Sequence, residues 1–330
     1  DANGKAAAWN VTVSILAEGT GSADDPYIIK TAGELDCVRN HLESCFKLGA
    51  DIDLGLGYYG RGSGWLPVGS TDTPFNGVFD GGGYIIRNLF IYRPQDNYTG
   101  LFGCLGSKAI IKNVNLEDVM VYGGDYTGAL AGDNHGIINT SCVTGSVHGD
   151  YWTGGLAGAN SRGSISNCYS NAGVIGMQNV GGLAGINRGS IMYCYNSGHV
   201  SGEYDGGLVG SDGWSSNNGT IRNSYYDEET AGVCVSVSSQ ARTTAQMKQE
   251  ATYLGWDFDS IWSIAANQYP RLKNVSGNDT GFNDYIIINT ADELNAVREN
   301  LNGYYRLGAD IDLGAAPYNT DGGWLPIGDN

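Results

Sequence analysis

Residues 180–202 read "VGGLAGINRGSIMYCYNSGHVSG", with glycines in pairs, short apolar words and Arg188 as the one formal charge. The stretch has no apolar period long enough for a core-facing helix, and it is too short and glycine-rich to bury a core alone. The phrase recurs as "GLFG" (100–103), "GALAG" (128–132), "GGLAG" (154–158 and 181–185) and "GGLVG" (206–210). Its leucines, Leu101, Leu130, Leu156, Leu183 and Leu208, are spaced 29, 26, 27 and 25 apart. A second file runs in parallel through Ile111, Ile138, Ile165, Ile191 and Ile221. Three residues after each isoleucine stands Val114, Ser141, Cys168, Cys194 or Ser224, followed by Asn115, Cys142, Tyr169, Tyr195 or Tyr225. A third file is Val147, Val174 and Val200.

Self-similarity at this period means a repeat architecture. Each unit holds two or three strand-length apolar words and no helical period, which excludes helical repeats. A leucine-rich repeat needs denser leucines and an asparagine ladder, and a propeller blade needs about four strands in roughly 40 residues. The reading that remains is an all-β fold, a parallel β-helix or β-solenoid with one coil per unit and short capping helices at the start of each module. Strands of successive coils would lie about 4.8 Å apart. Equivalent residues then stack, the leucine and isoleucine files fill the interior, and a column of coils buries what one coil cannot. The glycines are expected at tight corners, where positive φ costs them nothing.

The flanks define modules. Residues 1–24 read as an extended N-terminal segment, 25–274 as a complete solenoid module with repeats at about 98–232, 275–281 as a linker, and 282–330 as the start of a second module. "TAGELDCVRNHL" (31–42) opens with a capping box, Thr31 with Glu34, and predicts a helix over 32–42 that covers the first coil. The same grammar returns in "TADELNAVRENLNGYYRLGADIDLG" (290–314), at a constant offset of 259 from Thr31 to Gly69. Between the two openings, residues 243–274 carry Trp256, Phe258, Trp262 and Tyr269, suited to closing the first module's core. The chain begins at Asp1 without a methionine, as a processed or excised chain would.

A formal charge of −17 with 18 Lys plus Arg disfavours nucleic acid and anionic membrane surfaces as partners. No apolar run is long enough to span a bilayer. The seven cysteines form no CxxC pair, so a zinc knuckle is not indicated.

Taken together, the "GGLAG" phrases, "SNCYSNAGV", "MYCYNSGHV", "FNGVFDGGGYIIRNL", "GADIDL…GWLPVG" and "TTAQMK…W…YPRLK" resemble the GLUG-repeat proteins of prokaryotic cell surfaces, over roughly residues 25–330. The resemblance implies a secreted or surface-attached β-helix, often part of a larger protein. Some relatives sit beside IgA-cleaving metallopeptidase domains, whose HExxH helix this sequence lacks.

Chemistry-bearing patterns are sparse. "GLGYYG" (55–60) matches GxGxxG formally but opens no helix, and GxSxG, P-loop and EF-hand patterns are absent. His41, His135, His148 and His199 have no partner at ligand spacing. The acidic, aromatic turn before each GG word is the candidate ligand-facing file: Asp125 with Tyr126, Asp150 with Trp152, and Glu203 with Tyr204, beside Asp96 and Asp205. It reads either as a groove for a glycan or calcium, or as a solvated turn propped by aromatic rings. Gln178 and Asn179 interrupt it. Cys168 and Cys194 read as a small buried apolar file rather than a disulfide, whereas Cys37 and Cys45, both replaced in the second copy, are the candidate bridge. Asn-x-Ser/Thr sequons stand at Asn10, Asn97, Asn139, Asn218, Asn274 and Asn278.

No catalytic, cofactor or metal residues emerge. The expected function is a non-catalytic, extracellular structural or adhesive β-solenoid. It would belong to a cell-surface protein or a head-to-tail assembly such as a filament or surface layer. Its partners would be copies of itself or further modules, with glycans or host proteins as ligands and no nucleic acid. The alternative is a carbohydrate- or protein-binding accessory domain of a secreted peptidase or polysaccharide-active enzyme. A β-helical lyase or hydrolase is the third reading, disfavoured by the shortage of basic residues.

Overall fold

The computed structural model describes residues 16–210, 219–232, 240–274, 286–288, 290–299, 305–307 and 311–314. Most of the N-terminal segment (1–15), the linker at 275–281, Cys234 and the sequons at Asn10, Asn218 and Asn278 lie outside them. The chain divides into two compact units, 1–277 and 278–330.

The first unit is a parallel β-solenoid whose coils pass through three faces. In the coil built on the second LxG phrase, Ala131–Asn134 lies on one face, Ile137–Asn139 on the next and Cys142–His148 on the third. Every one of these strands pairs in parallel with its counterparts in the coils before and after. Ile138 stands between Ile111 and Ile165, Val147 between Val121 and Val174, and Ala131 between Phe102 and Ala157. Phe79, Phe46 and Tyr27 continue the isoleucine file in the same register toward the N-terminus. Leu101, Leu130, Leu156, Leu183 and Leu208 are all buried in one continuous core with the Ile111, Ile138, Ile165 and Ile191 file. The expected fold is therefore present, in register.

The glycines do something different from what their flexibility suggests. None of the LxG-phrase glycines has positive φ, and the left-handed corner positions carry other residues. One left-handed file is Tyr98, Tyr126, Trp152, Asn179 and Tyr204, and another is Asn113, Thr140, Asn167, Tyr193 and Asn223. The closing glycine of each phrase is required by space. A Cβ at Gly132, Gly158, Gly185 or Gly210 would lie 2.3–2.5 Å from the carbonyl carbon of Tyr98, Tyr126, Trp152 or Asn179, the corner residue of the preceding coil. The "LAG" word thus packs bare backbone against a bulky residue's strained turn.

The helical cap is shorter than expected. An α-helix spans Ala32–Cys37 and continues as a 3-10 turn over Val38–Asn40. The Thr31 hydroxyl oxygen accepts from Glu34 N, and the Glu34 carboxylate reaches back to accept from Lys30 N at 2.8 Å. Leu35 and Val38 bury their side chains in the main core, closing its N-terminal end. The bridge expected between Cys37 and Cys45 is not formed, and both residues are thiols. Leu35 and Val38 on the helix, and Phe46 and Leu48 on the strand, make the buried contact. The two cysteines stand off those buried faces and are only partly covered.

Residues 240–274 close the stack in two ways. Ala241–Arg242 adds a parallel strand beside Tyr226–Asp227 at the C-terminal end of one sheet. Its aromatic residues, however, lie along the flank and not over the open end of the core. Tyr169, Tyr195 and Tyr225 form an outward file that Tyr253, Trp256, Trp262 and Tyr269 cover. Tyr195 Oη donates to the Pro270 carbonyl at 2.7 Å, and Trp256 Nε1 donates to the Asn223 carbonyl at 2.8 Å. The buried Asp227 carboxylate accepts from the Thr244 hydroxyl at 2.6 Å and from Tyr269 Oη, pinning the segment.

In the second unit, Ile286–Ile288 pairs in parallel with Tyr305–Leu307, and a helix over Ala291–Ala296 with a 3-10 turn over Val297–Glu299 lies between them in sequence. Ile286 opposite Tyr305 repeats Tyr27 opposite Phe46, so the opening of the first module is rebuilt strand for strand.

Candidate functional site

The acidic, aromatic turn file occupies one corner of the solenoid. Tyr126, Trp152 and Tyr204 share a left-handed conformation, with φ of 58°, 57° and 59°. Asn179 fills the same place with φ of 56°, so the interruption read in the sequence preserves the backbone and loses only the ring. Asparagine tolerates this region better than most residues, whereas tyrosine and tryptophan are held there by packing.

That packing is ring on ring. Tyr98 stacks on Tyr126 with centroids 4.6 Å apart and an interplanar angle of 7°, and Tyr126 stacks on Trp152 at 4.6 Å and 23°. The spacing is that of the coils themselves. Each stack contributes about 0.5–1.5 kcal/mol beyond the area buried. A sugar docks on the open face of an aromatic ring, but Tyr126 has both faces covered by its neighbours. Burial, aided by Asp133, also holds the Tyr126 phenol above its ordinary pKa range.

The carboxylates are engaged in the same way. Asp125 Oδ1 accepts the backbone N–H of Tyr151, one coil on, at 3.3 Å. Asn97 Oδ1 accepts the N–H of Asp125 at 3.0 Å, so asparagine and aspartate form one polar ladder beside the ring ladder. Glu203 accepts from Gln178 Nε2 at 2.8 Å. The carboxyl of Asp205 is raised above its usual range by burial. Asp150 contributes backbone groups, donating to the Gly124 carbonyl and accepting from Met177 N. The structure therefore brings these residues to one corner, where the Tyr98, Tyr126 and Trp152 rings and the Asp125 and Glu203 carboxylates hold adjacent coils together. Among the described residues, no group of three His, Cys, Asp or Glu side chains is placed to hold a metal ion.

A second ladder borders this corner. Tyr122 stacks on His148 at 4.4 Å and 8°, with Tyr92 tilted against Tyr122 at 5.6 Å. Burial lowers the His148 pKa, which keeps a neutral imidazole in the stack.

Two further ladders were missed or misread in the sequence. Asn134 Nδ2 donates to Asn160 Oδ1 at 2.9 Å, and Asn160 Nδ2 donates to Asn187 Oδ1 at 2.8 Å, all three side chains being buried. Asn134 and Asn187 also accept the N–H of Gly136 and Gly189, fixing the turns that follow. The signal was present: asparagine stands four residues after Leu130, Leu156 and Leu183. Cys168 and Cys194, for their part, are buried thiols in a file that is hydrogen-bonded rather than merely apolar. Cys194 Sγ donates to the Met192 carbonyl at 3.1 Å and accepts the Cys168 N–H at 3.4 Å. Ser141 and Ser224 make the corresponding bonds in their own coils.

Residues 178–201, which span one corner turn, one LAG word and one isoleucine strand, match the GLUG motif. The chain carries a GLUG motif. Beyond it, a protein of Evansella cellulosilytica named as a Gly-rich membrane protein is 39% identical over 141 residues, covering 39% of this chain and 16% of that protein. Halomucin of Haloquadratum walsbyi is 35% identical over 138 residues, covering 39% of this chain and 2% of halomucin. The chain thus spans a small share of the curated relatives it matches. A Bacteroides ovatus crystal structure, described as a candidate immunoglobulin A1 protease, superposes with a TM-score of 0.61 at 22% identity. The match covers 78% of this chain and 95% of that one. At that identity the likeness is one of fold, and it places the GLUG motif within a β-solenoid. Among the described residues, no helix is long and apolar enough to cross a membrane.

Proposed function

We propose that this GLUG-motif chain is a non-catalytic, extracellular structural or adhesive β-solenoid, a stiff section of a larger cell-surface protein. The observation that carries the reading is the use of the corner residues. Asp125 and the Tyr98–Tyr126–Trp152 ladder, the groups best suited to a ligand or to catalysis, are spent on holding coil to coil. Similarity to a Gly-rich membrane protein and to halomucin supports a surface location. The rebuilt strand–helix–strand opening at 286–307 supports a chain of successive modules, each with its own cap. Further modules of the same protein are the partners this favours.

The test is antibody labelling of the source cells with and without permeabilisation. Labelling of intact cells is expected, and labelling that requires permeabilisation contradicts the reading.

A further inference from the structure

Residues 243–274 leave the last coil and travel back along the stack as a strap. Their course is marked by the corner file Asn113, Thr140, Asn167, Tyr193 and Asn223, one left-handed residue per coil. At the last coil, Asn223 Nδ2 donates to the Leu254 carbonyl and the Asn223 carbonyl accepts from Trp256 Nε1, both at 2.8 Å. One and two coils earlier, Trp262 lies against Tyr195 and Tyr169, with ring centroids 6.1 and 6.2 Å away. At the first coil of the file, Asn274 Nδ2 donates to Asn113 Oδ1. The strap thus returns over four coil steps, about 19 Å, and ends beside Asn113 rather than at the last coil.

Two features make the strap separable from the coils it crosses. The side chains it buries, Met247, Tyr253, Trp256, Trp262 and Leu272, stand outside the core cluster that holds the leucine and isoleucine files, because they pack on the outward tyrosines. Lifting them opens no interior. Its hydrogen bonds to the coils at Asn274, Pro270, Tyr269 and Trp256 each involve a side chain, whereas the coils join one another through continuous backbone ladders. A pull on the chain after Asn274 meets these contacts one after another.

We propose that the strap is a reversible reserve of length. Tension on the chain that follows Asn274 peels it from the flank, in the order Asn274, Pro270, Trp262, Trp256, before any coil unwinds. Weakly coupled elements open well below global unfolding, and here the strap's direction fixes the order. The roughly 33 residues from Thr243 to Ser276 supply about 110–120 Å of extended chain, and the coils keep their backbone ladders throughout. The inference goes beyond the scaffold reading and does not rest on it.

Optical-tweezers stretching of the full chain tests it, with handles on Lys108→Cys and Ser276→Cys in a background with Cys37→Ser, Cys45→Ser and Cys234→Ser. Lys108 is exposed in the coil that carries Asn113, so the pull falls on the strap and not on the coils before it. One or more low-force transitions totalling about 110–120 Å, reforming on relaxation, are expected ahead of a separate transition at higher force. Tyr269→Phe, which removes the hydroxyl on Asp227 and leaves the ring, should lower the force of the early transitions and leave the later one unchanged. A single transition that releases most of the about 550–600 Å of chain between the handles overturns the proposal. So do early transitions that fail to reform, or a Tyr269→Phe chain in which the later transition shifts instead.

Discussion

A Cβ placed on Gly158 would lie 2.3 Å from the carbonyl carbon of Tyr126, the left-handed corner residue one coil earlier. The pairing of a space-limited glycine with a bulky turn residue recurs at Gly132 with Tyr98 and at Gly185 with Trp152. It explains why the repeated phrase ends in glycine although that glycine has an ordinary backbone conformation. Gly158→Ala is therefore expected to destabilise the chain by about 1–3 kcal/mol or more, through overpacking against backbone that cannot yield. Gly57 has positive φ but open space around it, so Gly57→Ala should cost only its backbone strain, about 1 kcal/mol. Urea unfolding of the two variants separates the two causes.

The corner position accepts asparagine, as Asn179 demonstrates at φ of 56°. Trp152→Asn should keep the backbone and lose the stack on Tyr126 together with its buried area. Trp152→Val should be worse, because a β-branched residue resists the left-handed region. The order wild type, Asn, Val in thermal midpoint is the expected outcome.

Asn160 sits mid-ladder, accepting from Asn134 and donating to Asn187. Asn160→Ala leaves the buried Asn134 Nδ2 donor unmatched, at about 1–3 kcal/mol, while Asn187 Oδ1 keeps the Gly189 N–H. Asn160→Asp should be worse still, since it sets a carboxylate oxygen against Asn187 Oδ1. Equilibrium unfolding of both variants checks the order.

The serine–cysteine file makes a sharper test. If it works through hydrogen bonds, Cys194→Ser keeps the acceptor for Cys168 N and the donor to the Met192 carbonyl, as Ser141 and Ser224 do in their coils. It should then cost under about 1.5 kcal/mol, and Cys194→Val should cost more despite being apolar. The reverse order would show that apolar filling alone matters at this position.

Buried thiols also predict a pH response. Burial raises Cys104 and Cys142 from an ordinary 9.0 to about 12. Between those values the folded chain holds protons that the unfolded chain has released. Stability should be level below about pH 9 and then fall, by up to about 1.4 kcal/mol per pH unit for each thiol. Urea midpoints from pH 7 to 11 should show this, with a shallower fall in Cys104→Ser.

The solenoid was legible because its period is long-range and redundant: five leucines and five isoleucines repeat one register. The roles of individual positions were less so. A glycine that provides φ freedom and one that provides space look identical in sequence, and only the Tyr126 carbonyl beside Gly158 separates them. Likewise, an asparagine four residues after a leucine becomes a ladder only once coils stack. The helix over 32–42 was overextended because Leu42 continues the apolar period, whereas the chain tightens at Val38–Asn40 and turns into the strand that opens at Cys45. The acidic turn was visible as a file, but its engagement depends on neighbours one coil away, as with Asp125 and the Tyr151 N–H.

The most direct test of the stacked, in-register column is a distance between spin labels at positions 112 and 222. Lys112 and Arg222 share one register position, linked through Asn139, Ser166 and Met192. Four steps of about 4.8 Å set the backbones about 19 Å apart. In a background with Cys37→Ser, Cys45→Ser and Cys234→Ser, double electron–electron resonance on Lys112→Cys/Arg222→Cys should give one narrow distribution near 20 Å. A broad distribution, or one centred beyond about 30 Å, would contradict the column on which the account rests.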